Sequence, residues 1–324
     1  MDSVLENSQL SDVYKKAIEP QIGELTGIRN NAQKAVYYGI AVFLLVILFI
    51  SLVSSGVALA IIGLVVSVIG LIIIGVRGNK AWKLYHSRFK EQVVREVVKL
   101  VNPDWAYHPT DMIDSAVYYQ SDIFRRQVDR YNGDDLVQGV LDKTDFECSE
   151  LHTQYKQVTT DSKGRRQEQW VTIFRGLFFH ADFNKEFIGR TYVSPDTAER
   201  LLGKFGRRFQ KISGPAPLVV LENVEFEKAF VVHATDQIEA RYILTPTIME
   251  AMLRIKQLYK CEVHFSFIGS RVFCALGMNK ALFEPKLFGP VIKLREVEDM
   301  YQLFKVNEVI IQELNLNTRI WTKA

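Results

Sequence analysis

The sequence predicts an α+β protein, built as a two-helix transmembrane hairpin followed by a cytoplasmic domain of antiparallel strand hairpins with segregated helices. Two observations carry this. No charged residue lies between Lys34 and Arg77 of the 324-residue chain, whereas charges are frequent on either side. From Phe146 onward, β-branched and aromatic runs alternate with turn residues and with amphipathic helical stretches, the pattern of α+β rather than doubly wound folds. The expected divisions are residues 1–35, an N-terminal cytoplasmic helix; 36–76, the hairpin; 77–130, a juxtamembrane helical region; and 131–324, the α+β domain.

In the first part, Leu10, Val13, Tyr14, Ala17 and Ile18 recur at helical spacing ahead of Pro20. The apolar runs 36–53 and 57–76 follow. As helices each would reach roughly 27–30 Å, the thickness of a hydrocarbon core. One continuous helix would overshoot any bilayer, so Ser54-Ser55-Gly56 is read as the turn. Arg29 and Lys34 precede the first span, and Arg77, Lys80, Lys83, Arg88 and Lys90 follow the second, while the turn carries no charge. The positive-inside bias puts both termini in the cytoplasm, as in a multi-pass inner-membrane protein. A signal peptide is a poor rival, because the apolar stretch begins late and is too long.

Gly56, Ala60, Gly63, Ser67 and Gly70 recur at spacings of four and three, forming a small-residue face that lets another helix approach closely. The covalently attached first span is the preferred occupant. A seam between copies, giving a homo-oligomer, is the sharper rival.

After the hairpin, Trp82, Tyr85, Phe89, Val93, Val97 and Leu100 form a helical stripe ended by Pro103. A helix is expected over Asp111–Arg130, stopped by Gly133. A long hairpin is expected from Phe146–Thr160 and its return through Phe183. Further strands are expected at Leu218–Glu222, Phe230–His233, Glu262–Phe267 and Arg271–Leu276. Helices are expected over Pro195–Phe209, Thr247–Tyr259 and Glu296–Leu314. Thr245-Pro246 and Ser194-Pro195 each supply a capping residue before a helix-starting proline. Three cysteines, Cys148, Cys261 and Cys274, form no CxxC pair, which suits a reducing compartment.

The runs 129–156, 174–196, 236–246 and 313–321, among them FRGLFFHADFNKEFIGRTYVSPD and ELNLNTRIW, resemble a bacterial membrane family catalogued as domain of unknown function 3137. The resemblance implies bacterial origin, inner-membrane attachment and a cytoplasmic domain from about Pro103 onward. It implies no activity and no catalytic residues.

Standard catalytic signatures are absent: there is no phosphate loop, GxGxxG, GxSxG or HExxH. Ser87–Lys90 matches SxxK without companion motifs. The acidic run around Asp129, Asn132, Gly133, Asp134 and Asp135 fails as a calcium loop, since Val128 and Gly139 would fall on ligand positions. It is read as a helix stop and an acidic turn. His180 and Asp182 share one strand face and are the weak catalytic candidates, with His233 and Asp236 as conceivable neighbours. A structural pair at a strand end is the blander reading. Lys204, Arg207, Arg208 and Lys211, interleaved with Phe205 and Phe209, would suit anionic lipid or an acidic protein partner. The bland alternative is a solvated helix end. No cofactor or metal is called for, and a net charge of +3 gives no reason to expect nucleic acid. The balance favours a membrane-anchored binding or scaffolding protein. An enzyme on a membrane-associated substrate, or a structural subunit of a homo-oligomeric assembly, is the alternative.

Overall fold

The computed structural model describes residues 10–56, 59–160, 165–183, 186–196 and 216–314. They form two compact units, one running to Pro103 and taking in Phe283–Leu303, the other holding Asp104–Leu282 and the chain from Phe304.

The first unit is built on two long helices, α1 (Leu10–Ser54) and α2 (Ala60–Val101). The segment ahead of Pro20 is therefore continuous with the first apolar run instead of a separate helix. Proline inside a helix removes a hydrogen bond and crowds the preceding turn. Here a π turn, Tyr14–Ile18, widens the helix immediately before it, and Glu19 N–H bonds Tyr14 O. A second π turn, Lys90–Val94, lies in α2 where the Lys90 side chain turns inward. Helix α1 ends through Gly56, whose φ of +87° closes the turn. Gly56 thus sits in the turn and not on the helical face assigned to it, and the second helix begins at Ala60.

The helices pack antiparallel along their small residues. Ala60 and Ser67 are buried. A Cβ added at Gly63 would lie 2.6 Å from Phe49 Cζ, and one at Gly70 would lie 3.8 Å from Val42. Outward, the same helices are apolar: Leu44, Ile62, Val66 and Ile72 are each 61–63% exposed. Below the apolar stretch, the returning segment is tied to both helices. Gln33 Nε2 donates to Leu287 O at 2.7 Å, Arg29 to Gly289 O, and Tyr85 Oη to Lys286 O. His86 and Lys90 both meet Glu284. Burial would raise the Glu284 pKa, but the His86 hydrogen bond and the Lys90 charge outweigh it and hold the group lower. Helix α7 (Leu294–Phe304) follows this segment.

Among the described residues, the second unit is a nine-stranded sheet in the order β1-β2-β3-β4-β9-β8-β5-β7-β6, antiparallel throughout. Its strands are β1 (Ala106–His108), β2 (Arg130–Leu141), β3 (Thr144–Thr160), β4 (Arg166–Asp182), β5 (Arg190–Pro195), β6 (Leu218–Val219), β7 (Phe230–Ala234), β8 (Glu262–Ile268) and β9 (Arg271–Gly277). Its helices are α3 (Ser115–Gln120), α4 (Val224–Ala229), α5 (Gln237–Ile243), α6 (Pro246–Tyr259) and α8 (Val306–Glu313).

The β3–β4 and β8–β9 hairpins and α6 match the sequence pattern, and Thr245 caps α6 by accepting from Ile248 N. Four expectations fail. Asp111–Arg130 is not one helix; α3 is a single short helix capped by Asp114, and Asp122 at φ +51° turns the chain away. Gly133 is not a helix stop but lies within β2, pressed so closely on β3 that a Cβ would sit 2.6 Å from Leu151 Cδ2. The neighbouring acidic residues are not a turn; they form a bulge between Asp134 and Val137, with Asp135 at φ +56°. Pro195 closes β5 rather than opening a helix, and residues 197–209 of the helix expected over Pro195–Phe209 lie outside the described residues.

The two faces of the sheet are chemically unlike. One register row, Val137–Cys148–Phe179–Cys274–Phe265–Val193–Val232–Val219, crosses eight strands, and every member is buried. Helix α8 packs on this sheet at β3, and α6 on α8. Cys148 and Cys274 flank Phe179 two strands apart, about 10 Å, too far for a disulfide. The adjacent row, on the opposite face, is mixed: Gln138–Glu147–His180–Phe273–Ser266–Tyr192–His233. Part of this face is covered by the stretch around α3. Ile113 and Tyr118 pack against Leu136, Leu151, Phe178 and Ala275. Ser266 Oγ donates to Ser121 O, and Tyr192 Oη to Asp122.

Candidate functional site

At one end of the mixed face, in the second unit, lies an open groove of about 920 Å³. Its floor comes from neighbouring strands because the register aligns them: Gln138 of β2, Glu147 of β3 and His180 of β4 stand side by side. The next row places Asp182 beside Arg271 of β9. Asp104, Asp142 and Asp145 add carboxylates to the walls.

The centre of the groove is His180, only 6% exposed. Its Nε2 lies 3.1 Å from Glu147 Oε2, and Gln138 Nε2 donates to the other oxygen of the same carboxylate at 2.6 Å. The hydrogen bond from His180 lowers the Glu147 pKa, against the opposing effect of burial. Glu147 is therefore ionised at neutral pH and can only accept, so the imidazole donates to it. The ring is further held against Phe273, 6.0 Å between centroids. A histidine oriented by a carboxylate can exchange a proton or present a directed hydrogen bond. Five carboxylates against one guanidinium make the groove electronegative, a surface for a ligand with a basic group.

His180 and Asp182 thus fall in one groove, as their shared strand face required. His233 does not join them. It occupies the same register row, but four strands away, about 19 Å at the usual strand spacing. Asp236 instead caps α5, accepting from Ile238 N and Glu239 N. The missed partners, Glu147 and Gln138, are ordinary polar residues in the sequence, and only strand register reveals them. Lys204, Arg207, Arg208 and Lys211 lie outside the described residues. Of the small residues, Gly63 and Gly70 face Phe49 and Val42 of α1, while Ala60 and Ser67 are buried.

An antiparallel sheet carrying a polar groove, with two helices long and apolar enough to cross a membrane in the same chain, defines an α+β protein. Residues 172–316 match the model of a family described as "Protein of unknown function (DUF3137)", the family that the sequence resembles. No curated protein matches the chain. Among solved structures, the chain is similar to the crystal structure of the mycobacterial trehalose monomycolate transport factor A, TtfA. That similarity spans 68% of this chain and 94% of the other at 9% identity, with a TM-score of 0.30. A likeness so slight carries no argument about this chain's ligand.

Proposed function

We propose that this protein is a membrane-anchored binding or scaffolding protein, held in the inner membrane by the α1–α2 hairpin with both termini cytoplasmic, and that the His180–Glu147 groove is its ligand site. One observation carries the anchor: two packed helices, uncharged from residue 35 to 76, turn bulky apolar side chains outward instead of into a core. The groove supports the binding role because its polar groups are preorganised by register and hydrogen bonding, and its charge selects a basic group. The basic run 204–211 is proposed as a second contact, with anionic lipid or an acidic protein.

The Glu147–His180 pair favours a specific rival, an enzyme using His180 as acid or base beside Asp182. Full-length protein, isolated in mild detergent as wild type, Asp182→Lys and His180→Ala, separates the readings. A ligand site predicts co-purifying species that vanish from Asp182→Lys while a distant control, Val158→Lys, retains them. Identical sets from all variants would remove the groove from the account. Turnover that is lost in folded His180→Ala would promote the enzyme reading.

A further inference from the structure

The polar groups on the floor of the groove are unequally used. Glu147 is fully engaged, with His180 Nε2 at one oxygen and Gln138 Nε2 at the other. His180 is engaged at one end only. Its Nδ1 has no hydrogen-bond partner among the described residues, yet it is not sealed from solvent, so it opens into the groove that the residue lines. In the neutral ring the proton sits on Nε2, given to Glu147, which leaves Nδ1 an acceptor.

Asp145 and Asp182 stand two residues from Glu147 and His180 along their strands, about 7 Å on and on the same face. Asp182 faces Arg271 of β9. Asp145 faces Val140 of β2, and its carboxylate has no partner among the described residues. An unpaired carboxylate and an open imidazole acceptor therefore line one groove, while its guanidinium stands one strand beyond Asp182.

These acceptors set the chemistry of what binds. An anion is repelled, and a neutral hydroxyl leaves the carboxylate charge unmet. A metal ion needs its ligand atoms close together, but among the described residues no three such atoms of this groove lie within 4.8 Å of one another. A quaternary ammonium brings charge without an N–H. A guanidinium or alkylammonium brings both.

Building on the groove reading above, we propose that the ligand carries a guanidinium or alkylammonium group, with Asp145 as its counter-ion and His180 Nδ1 as the acceptor that orients it. A free small amine and the Arg or Lys side chain of a peptide offer the same donors, and the test separates them.

Full-length protein in mild detergent is titrated with N-butylguanidinium, with butyltrimethylammonium and with a capped Gly-Arg-Gly peptide, followed by saturation-transfer NMR. Wild type should hold butylguanidinium about tenfold more tightly than the quaternary ion, the ratio that one hydrogen bond to a charged group supplies. Tighter binding of the peptide than of butylguanidinium assigns the group to a side chain, and weaker binding assigns it to a free amine. His180→Phe should narrow the preference for the guanidinium while changing the quaternary ion less. Asp145→Asn, at an exposed position, decides the matter if His180→Phe does not fold, and should weaken the guanidinium more than the quaternary ion. Equal affinity for the two cations, each lost in Asp182→Lys, would overturn the hydrogen-bonding site and leave an electronegative groove. Binding of none of the three probes, or binding that Asp182→Lys leaves unchanged, would overturn the groove reading itself.

Discussion

Gly176→Ala is expected to destabilise the sheet unit by about 3–5 kcal/mol, enough to prevent its folding. Gly176 pairs with Gly277 where β4 meets the end of β9. A Cβ there would overlap the Leu276 carbonyl oxygen and lie 2.9 Å from Met278 N. These are backbone atoms, fixed by the ladder on one side and by the Met278 N–H bond to Arg175 O on the other. Neither can yield as a flexible side chain would. Gly277→Ala is the control, since its Cβ would make ordinary contact with Glu262 at 3.6 Å. Urea unfolding of the full-length protein, followed by near-ultraviolet circular dichroism, should give an early transition or none for Gly176→Ala. The Gly277→Ala midpoint should stay close to wild type. Equal midpoints for wild type and Gly176→Ala would mean that the β4–β9 register is not as described.

The second large effect is expected at Gly63. Its Cβ would lie 2.6–2.8 Å from Phe49 ring atoms, and leucine adds further bulk in the same direction. The helices must part, and the contacts at Gly70–Val42 and Gly78–Ala35 loosen with them. Gly63→Leu should cost the hairpin about 1–3 kcal/mol. Removing the ring should return part of that, so Phe49→Ala with Gly63→Leu should be more stable than the sum of the single changes implies. Denaturant-dependent accessibility of α1 to protease, in detergent, measures the loss. If the seam is within one chain, the oligomer distribution by light scattering stays unchanged. A clean shift from oligomer to monomer would assign the small-residue face to a contact between copies.

Much of this architecture is legible in the sequence wherever one physical signal dominates. The helical hairpin shows as a charge-free window, and β3, β4, β8 and β9 show as β-branched and aromatic runs around turns. β2 is hidden because Arg130–Leu141 contains two glycines and two aspartates, residues read as loop chemistry. In the fold, Gly133 is required by close strand approach and Asp135 by a bulge. β1 is too short for periodicity to register, and β5 is masked because Ser194-Pro195, which closes it, reads as a capped helix start. The groove is half legible. His180 and Asp182 follow from strand alternation, but Glu147 and Gln138 reach them through pairing between segments 33 and 9 residues apart, which local pattern does not encode. Pro20 misleads for another reason: a π turn absorbs it, and the helix continues.

In the proposed anchor, α1 and α2 cross a bilayer as one hairpin, with the turn on one side and everything else on the other. Ser55→Cys places a reporter in that turn, and Ile238→Cys, 82% exposed on α5, places one in the sheet unit. With the native cysteines replaced, a membrane-impermeant maleimide applied to intact cells should label Cys at position 55 and leave position 238 unlabelled until the membrane is permeabilised. Labelling of position 238 from outside, or protection of position 55, would contradict the account.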